Sequence, residues 1–252
     1  MTDLEKFDND EAYYADKSYM SNSAFKLIRQ SVTKFHLWKQ GKWSYPNTSF
    51  FDVGSALHAL FLENKEVALR WDGTRRGNDY KEFKLANQDK LILPNKDYDL
   101  VYNMHDKLMK IPEVNDLMGI DFRPEVAGIK TFVTESGTEI PVKGKADALV
   151  FDGAKHYLVD LKTTAKSLEE FKKSARFMLY NQQAFLYKTI FGMDDFYFLV
   201  IEKEFPYEVG IFKASDDFLH WGEVELKKSI NIYEKRFLNE QFRPYSAMVG
   251  EM

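Results

Sequence analysis

Between residues 126 and 163 three apolar, β-branched-rich runs (126–134, 139–151 and 155–163) are separated only by Ser136-Gly137 and Asp152-Gly153. Runs of that length bounded by glycine turns read as strands, and joints this short connect antiparallel neighbours, so the segment predicts a meander. Side chains alternate along a strand, which puts Asp160 and Lys162 on the same side of theirs. Asp147 comes from the preceding strand and can face them. Two acids can chelate a divalent cation through oxygen, the ligand type Mg²⁺ prefers, while a neighbouring ammonium orients or helps deprotonate a water and steadies charge on a phosphate. The pattern therefore implies metal-dependent phosphodiester cleavage. Two plainer readings compete: Asp147 ends a strand beside Lys145, and Asp160 with Lys162 forms an edge ion pair. Asp160, however, lies inside the apolar run Tyr157-Leu-Val-Asp-Leu. A carboxylate buried there without a partner would cost several kcal/mol, so a cation or lysine must be close.

The 252 residues, 44% of them hydrophobic, can bury a substantial core. We expect one domain over 19–252, preceded by a polar, acidic, flexible arm over 1–18. A charged-then-apolar leader is missing at the start, and no apolar run approaches a membrane span, so a cytoplasmic protein with no membrane partner is expected. The absence of cysteine rules out disulfides, thiolate zinc, a cysteine nucleophile and a cysteine-held iron–sulfur cluster. Any metal must be held by oxygen or imidazole. A net charge of −4 argues against a protein that coats nucleic acid by bulk attraction but permits a local basic groove. Arg75-Arg76, Lys162 with Lys166, and Lys172-Lys173 with Arg176 are candidates. Each run taken alone reads more readily as a solvated charged face.

Elsewhere the periodicity is helical. Ser21-Asn-Ser23 offers caps for one helix over about 23–40, which Gly41 and Pro46 end. A largely buried helix fits 51–63. Residues 71–84 read as a loop leading into a short helix, and 97–110 as a helix stopping before Pro112. Ser167-Leu-Glu-Glu170 is a capping box opening a helical stretch that runs, with a break near 174–177, to Gly192. Two further strands are expected at 196–202 and 207–212. An amphipathic helix over about 215–238 closes the chain, with Phe218, Trp221, Leu226, Ile230 and Tyr233 on or near one face.

With Asp147, then Asp160-x-Lys162, then Gln183-x-x-x-Tyr187 in that order, the chain resembles the RecB-type branch of the PD-(D/E)XK nuclease superfamily. Within it the nearest likeness is to RecE-type phage and prophage exonucleases, relatives of the lambda type. The likeness extends to Met20-Ser-Asn-Ser-Ala-Phe-Lys, Gly54-Ser-Ala-Leu-His58-Ala-Leu-Phe-Leu-Glu63, the loop from Asp72-Gly-Thr-Arg-Arg-Gly to Phe83, and Glu125. It implies an α/β (α+β) fold of restriction-endonuclease type, with a central mixed sheet and antiparallel meander flanked by helices. It further implies that Asp147 and Asp160 are metal-binding carboxylates with the Leu161 carbonyl as a further ligand, that Lys162 is the catalytic lysine, and that His58 and Glu125 add ligands. Gln183 and Tyr187, four apart on a helix, share a face that can meet both the strand motif and the DNA backbone. By chemistry alone Gln182 would serve as well as Gln183, and Tyr187 reads equally as a core aromatic. Arg75, Arg76, Lys81 and Lys166 are candidate DNA contacts, with a solvated loop as the alternative for the first three.

The activity so implied is Mg²⁺-dependent, with Mn²⁺ an alternative: exonucleolytic digestion of linear double-stranded DNA, 5′ to 3′ and processive. It would leave 3′ overhangs for a single-strand annealing recombinase, and the enzyme would work as a ring-shaped trimer or tetramer in a bacterial host cell. A structure-specific or single-strand nuclease on the same scaffold is the alternative enzyme. A non-catalytic DNA-binding module on a decayed nuclease fold is the alternative of another class, and retention of both acids and the lysine argues against it.

Overall fold

A computed structural model of the protein describes residues 7, 10–45, 49–119 and 121–239. The described part of the expected flexible arm carries a short helix, α1 (Asp10–Ala15), with Tyr13 buried. Lys143, itself only 5% exposed, donates from Nζ to the carbonyls of Tyr13 and Asp16. A buried ammonium needs such acceptors, and the main chain of α1 and of the residue that follows it supplies them. Residues 1–6, 8 and 9 of that arm lie outside the described residues. The single helix expected over 23–40 is two, α2 (Asn22–Gln30) and α3 (Val32–Lys39). Ser31 divides them because its backbone is extended and its hydroxyl accepts from Lys34 N at 3.2 Å, capping the second helix.

Helix α4 (Ser49–Glu63) follows, with Val53, Ala56, Leu57 and Leu60 buried at the i, i+3, i+4, i+7 spacing of an inward stripe. Sequence reading missed the next two strands, β1 (Ala68–Trp71) and β2 (Leu91–Pro94), which pair in parallel on either side of α5 (Asn78–Ala86). At four residues each they are too short to show a period. Helices α6 (Asn95–Met109) and α7 (Pro112–Met118) come next. The expected stop before Pro112 is real, but the proline then sits in the first turn of a new helix, where its missing N–H costs nothing.

The predicted meander is present as β3 (Phe122–Val133), β4 (Glu139–Asp152) and β5 (Lys155–Thr164). The Ser167–Glu170 capping box opens α8 (Leu168–Ser174), and the helical stretch resumes as α9 (Tyr180–Phe191). Strands β6 (Asp195–Glu202) and β7 (Val209–Lys213) complete a five-stranded mixed sheet of order β3-β4-β5-β6-β7. Its one parallel pair is β5 with β6, and α8 and α9 form the crossover such a pair requires. Helix α10 (Asp216–Tyr233) ends in a wider turn over Glu234–Leu238. The buried residues of α10 are Leu219, Gly222, Leu226, Ser229 and Tyr233, so its inward face is rotated from the expected one. Trp221, placed on that face by sequence reading, is 43% exposed.

The sheet is covered on both faces, as a mixed sheet with apolar side chains up and down must be. One apolar cluster joins α4, α6, α7, β1 and β2 to Val150, Val159, Leu161, Leu199 and Ile201 of the sheet. On the other face Leu158, Phe196, Phe198 and Val200 pack with residues of α8, α9 and α10. Helix α2 seals the far end against Ile140 and Val142. No helix among the described residues is long and apolar enough to cross a membrane.

Candidate metal centre and active site

The β4–β5 ladder runs from Asp152 opposite Lys155 to Ala148 opposite Val159 and stops there. One step further would set Asp147 against Asp160, so the two acids stand where the strands part. Beyond that point β4 remains paired to β3 and β5 to β6. The Leu161 amide, left without a β4 carbonyl, instead donates to Asp147 Oδ2 at 2.8 Å. Glu125 lies across from Asp147 on β3, between the pairs Pro124–Ala148 and Val126–Ala146. It adopts a positive φ of 54°, a conformation that costs a non-glycine residue about 1–2 kcal/mol.

His58 reaches this point from α4. Its Nε2 lies 2.8 Å from the Leu161 carbonyl oxygen, and since that oxygen only accepts, Nε2 carries the proton. Nδ1 then faces the carboxylates, 3.6 Å from Asp147 Oδ2 and 3.8 Å from Glu125 Oε1. One ligand atom from each of the three residues lies within 4.8 Å of the others. An imidazole held by a carbonyl at one nitrogen and open at the other is the arrangement metal-ligating histidines show. Lys145 Nζ lies 2.5 Å from Glu125 Oε2 and fixes the acid from behind; sequence reading had weighed Lys145 only as a neighbour of Asp147.

On the other prong, Lys162 Nζ lies 2.5 Å from Asp160 Oδ2, as the two-residue spacing predicts. Gln183 Nε2 donates to Asp160 Oδ1 at 2.7 Å. The buried Asp160 Oδ2 has the Lys162 charge as its partner. Burial and the Asp160 charge push the Asp147 carboxyl up to about 6. Burial alone would depress His58, but Asp147 and Glu125 outweigh it and raise the imidazole above its usual value. Glu125 is opposed by burial and still held low by the neighbouring His58 imidazole and the Lys145 ammonium. Lys162, whose burial works against its charge, is held well above the ordinary lysine value by Asp160 and Asp147. An oxygen-rich set with one imidazole, crowded enough to raise an aspartate, fits a hard divalent cation: added positive charge would relieve the repulsion that the protein leaves uncompensated.

Helix α9 can approach because Gly128 and Gly144 pair across β3 and β4. A Cβ on Gly144 would lie 2.9 Å from Ile190 Cδ1 and 3.1 Å from the Tyr187 ring. Tyr187 thus packs as a core aromatic, yet it also lies in the field of Asp160 and Asp147, and burial followed by those charges keeps its phenol protonated. The two glutamines differ in their partners. Gln182 is fully buried, donates to Asn22 Oδ1 at 2.9 Å and accepts from Ser229 Oγ at 2.7 Å, so it ties α9 to α2 and α10, while Gln183 serves Asp160.

The candidate DNA contacts stand apart from these groups. Arg75 donates to the Ile92 carbonyl at 2.7 Å, bracing the loop against β2, while Arg76, Lys81 and Lys166 are exposed. Sequence reading missed Lys26 of α2, whose ammonium lies 5.1 Å from the centre of the Tyr180 ring; Lys162 lies 5.6 Å from the same ring. Lys26 closes the Met20-Ser-Asn-Ser-Ala-Phe-Lys motif, to which sequence reading gave no role of its own.

Over residues 21–249 the sequence matches the model of a family described as a PDDEXK-like domain of unknown function (DUF3799), and the chain belongs to that family. Its fold is similar to the crystal structure of a protein named "Putative exonuclease" from Eubacterium rectale, with a TM-score of 0.64 and 15% identity over 96% of each chain. A second solved structure, SSO0001, matches 79% of this chain and 97% of its own at 14% identity and a TM-score of 0.35, too loose a superposition to argue from. No curated protein matches the sequence.

Proposed function

We propose that this protein is a divalent-metal-dependent nuclease, and specifically an exodeoxyribonuclease acting on linear double-stranded DNA. The observation that carries the reading is the convergence of His58, Glu125 and Asp147 within 4.8 Å beside the Asp160–Lys162 pair. Membership of a PDDEXK-like family supports it. Mg²⁺, or Mn²⁺ in its place, would be held by Asp147, Glu125 and His58, with Asp160 and the Leu161 carbonyl at its border. Bound there, such an ion would supply Lewis-acid polarisation of a phosphoryl oxygen and a more acidic water.

The remaining work falls to this chain's own groups. Lys162 stays protonated, so it is a donor rather than a base: its ammonium holds the attacking water or a non-bridging phosphate oxygen in line and steadies the charge that develops. Gln183 holds Asp160, and Asp160 holds Lys162, so the amine has one position. Lys145 keeps Glu125 in its strained conformation. Such a site makes its demands on phosphates and none on base identity, which supports cleavage without sequence preference.

The likeness to RecE-type enzymes extends the reading to processive 5′-to-3′ digestion, 3′ overhangs passed to a single-strand annealing recombinase, and a ring-shaped homo-oligomer. A ring would also keep a chain of net charge −4 on its polyanionic substrate by enclosure. The test is Mg²⁺-dependent loss of a linearised plasmid, stopped by EDTA, with the closed circular form resisting; end-labelled duplexes give polarity. Equal digestion of circle and line replaces the exonuclease with a structure-specific or single-strand nuclease, and no digestion under any divalent ion removes the enzyme.

A further inference from the structure

Beside the catalytic lysine the surface opens into a hollow of about 720 Å³ between α2, the α8–α9 corner and α10. Lys26, Arg29 and Arg176 line it together with Phe177, Asn181 and Trp221. Phe177 is 88% exposed, and Trp221 lies beside it in the lining, also exposed. Large rings exposed together on one hollow mark surfaces that meet something else. The corner presenting Phe177 ends at Leu179, whose φ of 54° is strain that persists only when neighbouring structure enforces it. At the base of the hollow the Asn181 side chain is buried, and its Oδ1 has no hydrogen-bond partner among the described residues.

The cations differ in what they have to spare. Arg29 is paired with Glu225 and Arg176 with Asp217, whereas Lys26 has no carboxylate within ion-pair distance among the described residues. Burial first, and then the Lys162 ammonium, push Lys26 down to about 8, a charge that a nearby phosphate would stabilise. Lys26 in the lining and Lys162 in the active centre lie 5.1 and 5.6 Å from the centre of the same Tyr180 ring, so hollow and active centre are neighbours across it.

We infer that this hollow seats unpaired nucleotides of the strand that passes through the active centre, with bases stacking on Phe177 and Trp221 and a backbone phosphate on Lys26. The inference rests on the nuclease reading for the identity of the strand. Flat rings interleaved with cations are what single-stranded nucleic acid binds, because every base has a π-face and every linkage a charge. Asn181 Oδ1 is an acceptor that a base N–H would meet after a small side-chain shift. The volume suits a ligand of small-molecule size, hence a short unpaired stretch.

The experiment is fluorescence anisotropy of a labelled oligothymidylate with the full chain in EDTA, where binding is read without turnover. The proteins are wild type, Phe177→Ala with Trp221→Ala, and Lys26→Gln, each checked for an unchanged thermal midpoint. The aromatic variant is expected to lose about tenfold in affinity. Lys26→Gln should weaken binding and flatten the slope of log affinity against log salt by about 0.7, the share of one phosphate contact on a single strand. Affinity unmoved in both variants overturns the inference. So does a change in oligomeric mass by light scattering with oligothymidylate binding intact, which would make the face a contact between copies of this chain. Cleavage of linear duplex by wild type is scored separately: binding through the hollow without cleavage sinks the nuclease reading alone, and cleavage with unaltered affinity sinks the hollow alone.

Discussion

Single side chains decide what this site can do. With Lys162 held protonated, replacement by Ala leaves Asp160 buried without its cation and the phosphate without its donor. Cleavage in Mg²⁺ should fall at least about a hundredfold, with far-ultraviolet circular dichroism unchanged; near wild-type turnover would remove Lys162 from the mechanism. Proton linkage gives a second test. Asp147 has a folded value near 6, above its unfolded 3.8; its ionised form therefore weighs against the fold above pH 6, and that penalty fades as pH falls toward 4. His58 is raised, so its contribution is complete below its unfolded value of 6.5 and is lost as pH climbs through the folded one. Both act in the same direction. In EDTA the contribution of Asp147 should make the thermal midpoint decline from about pH 4 to pH 6 and that of His58 should continue the decline above pH 6.5, and saturating Mg²⁺ should shrink both, since a bound cation favours the ionised carboxylate and neutral imidazole. A midpoint rising over either range, or a slope that Asp147→Asn leaves untouched, contradicts the assignment. The Asp160–Lys162 contact was legible in the sequence because a strand repeats every two residues. Lys145 with Glu125 and Lys26 with Tyr180 were not, because those pairs are set by cross-strand register and helix packing, which local periodicity does not encode.

At the level of elements, the meander and the α8 capping box could be read directly, since glycine turns and a Ser-x-x-Glu spacing act within a few residues. The paired strands β1 and β2 were invisible because nothing in four residues separates a parallel edge from a loop. The break at Ser31 was missed because a cap and a helix-interior serine look alike in one dimension. Adjacent glutamines on α9 make a discriminating pair of variants. Gln182→Ala should destabilise by about 1–3 kcal/mol in urea unfolding, leaving the buried Asn22 Oδ1 unmet, with cleavage below the transition retained. Gln183→Ala frees Asp160 and should cut turnover more than stability. The reverse pattern would exchange their roles. Gly144→Val places methyl groups against Ile190 and Tyr187, where even a Cβ is too close, and should destabilise by about 1–3 kcal/mol through overpacking, read from the same denaturation midpoint.

For the molecule as a whole, the site draws on helices from both faces of the sheet: His58 from the α4 side, Gln183 and Tyr187 from the α9 side. Size-exclusion chromatography with light scattering, expected to give a trimer or tetramer, tests the ring; a monomer that still clears linear DNA processively would require another way of staying bound. Because β4 and β5 separate just where their aspartates stand, the acids ride on two independently braced ribbons, and their spacing changes whenever the gap opens or narrows. An ion lodged between them would act as a rivet. Its loading should be audible far from any chemistry, as slower hydrogen exchange at the Leu161 amide, the one main-chain group that already bridges the divide.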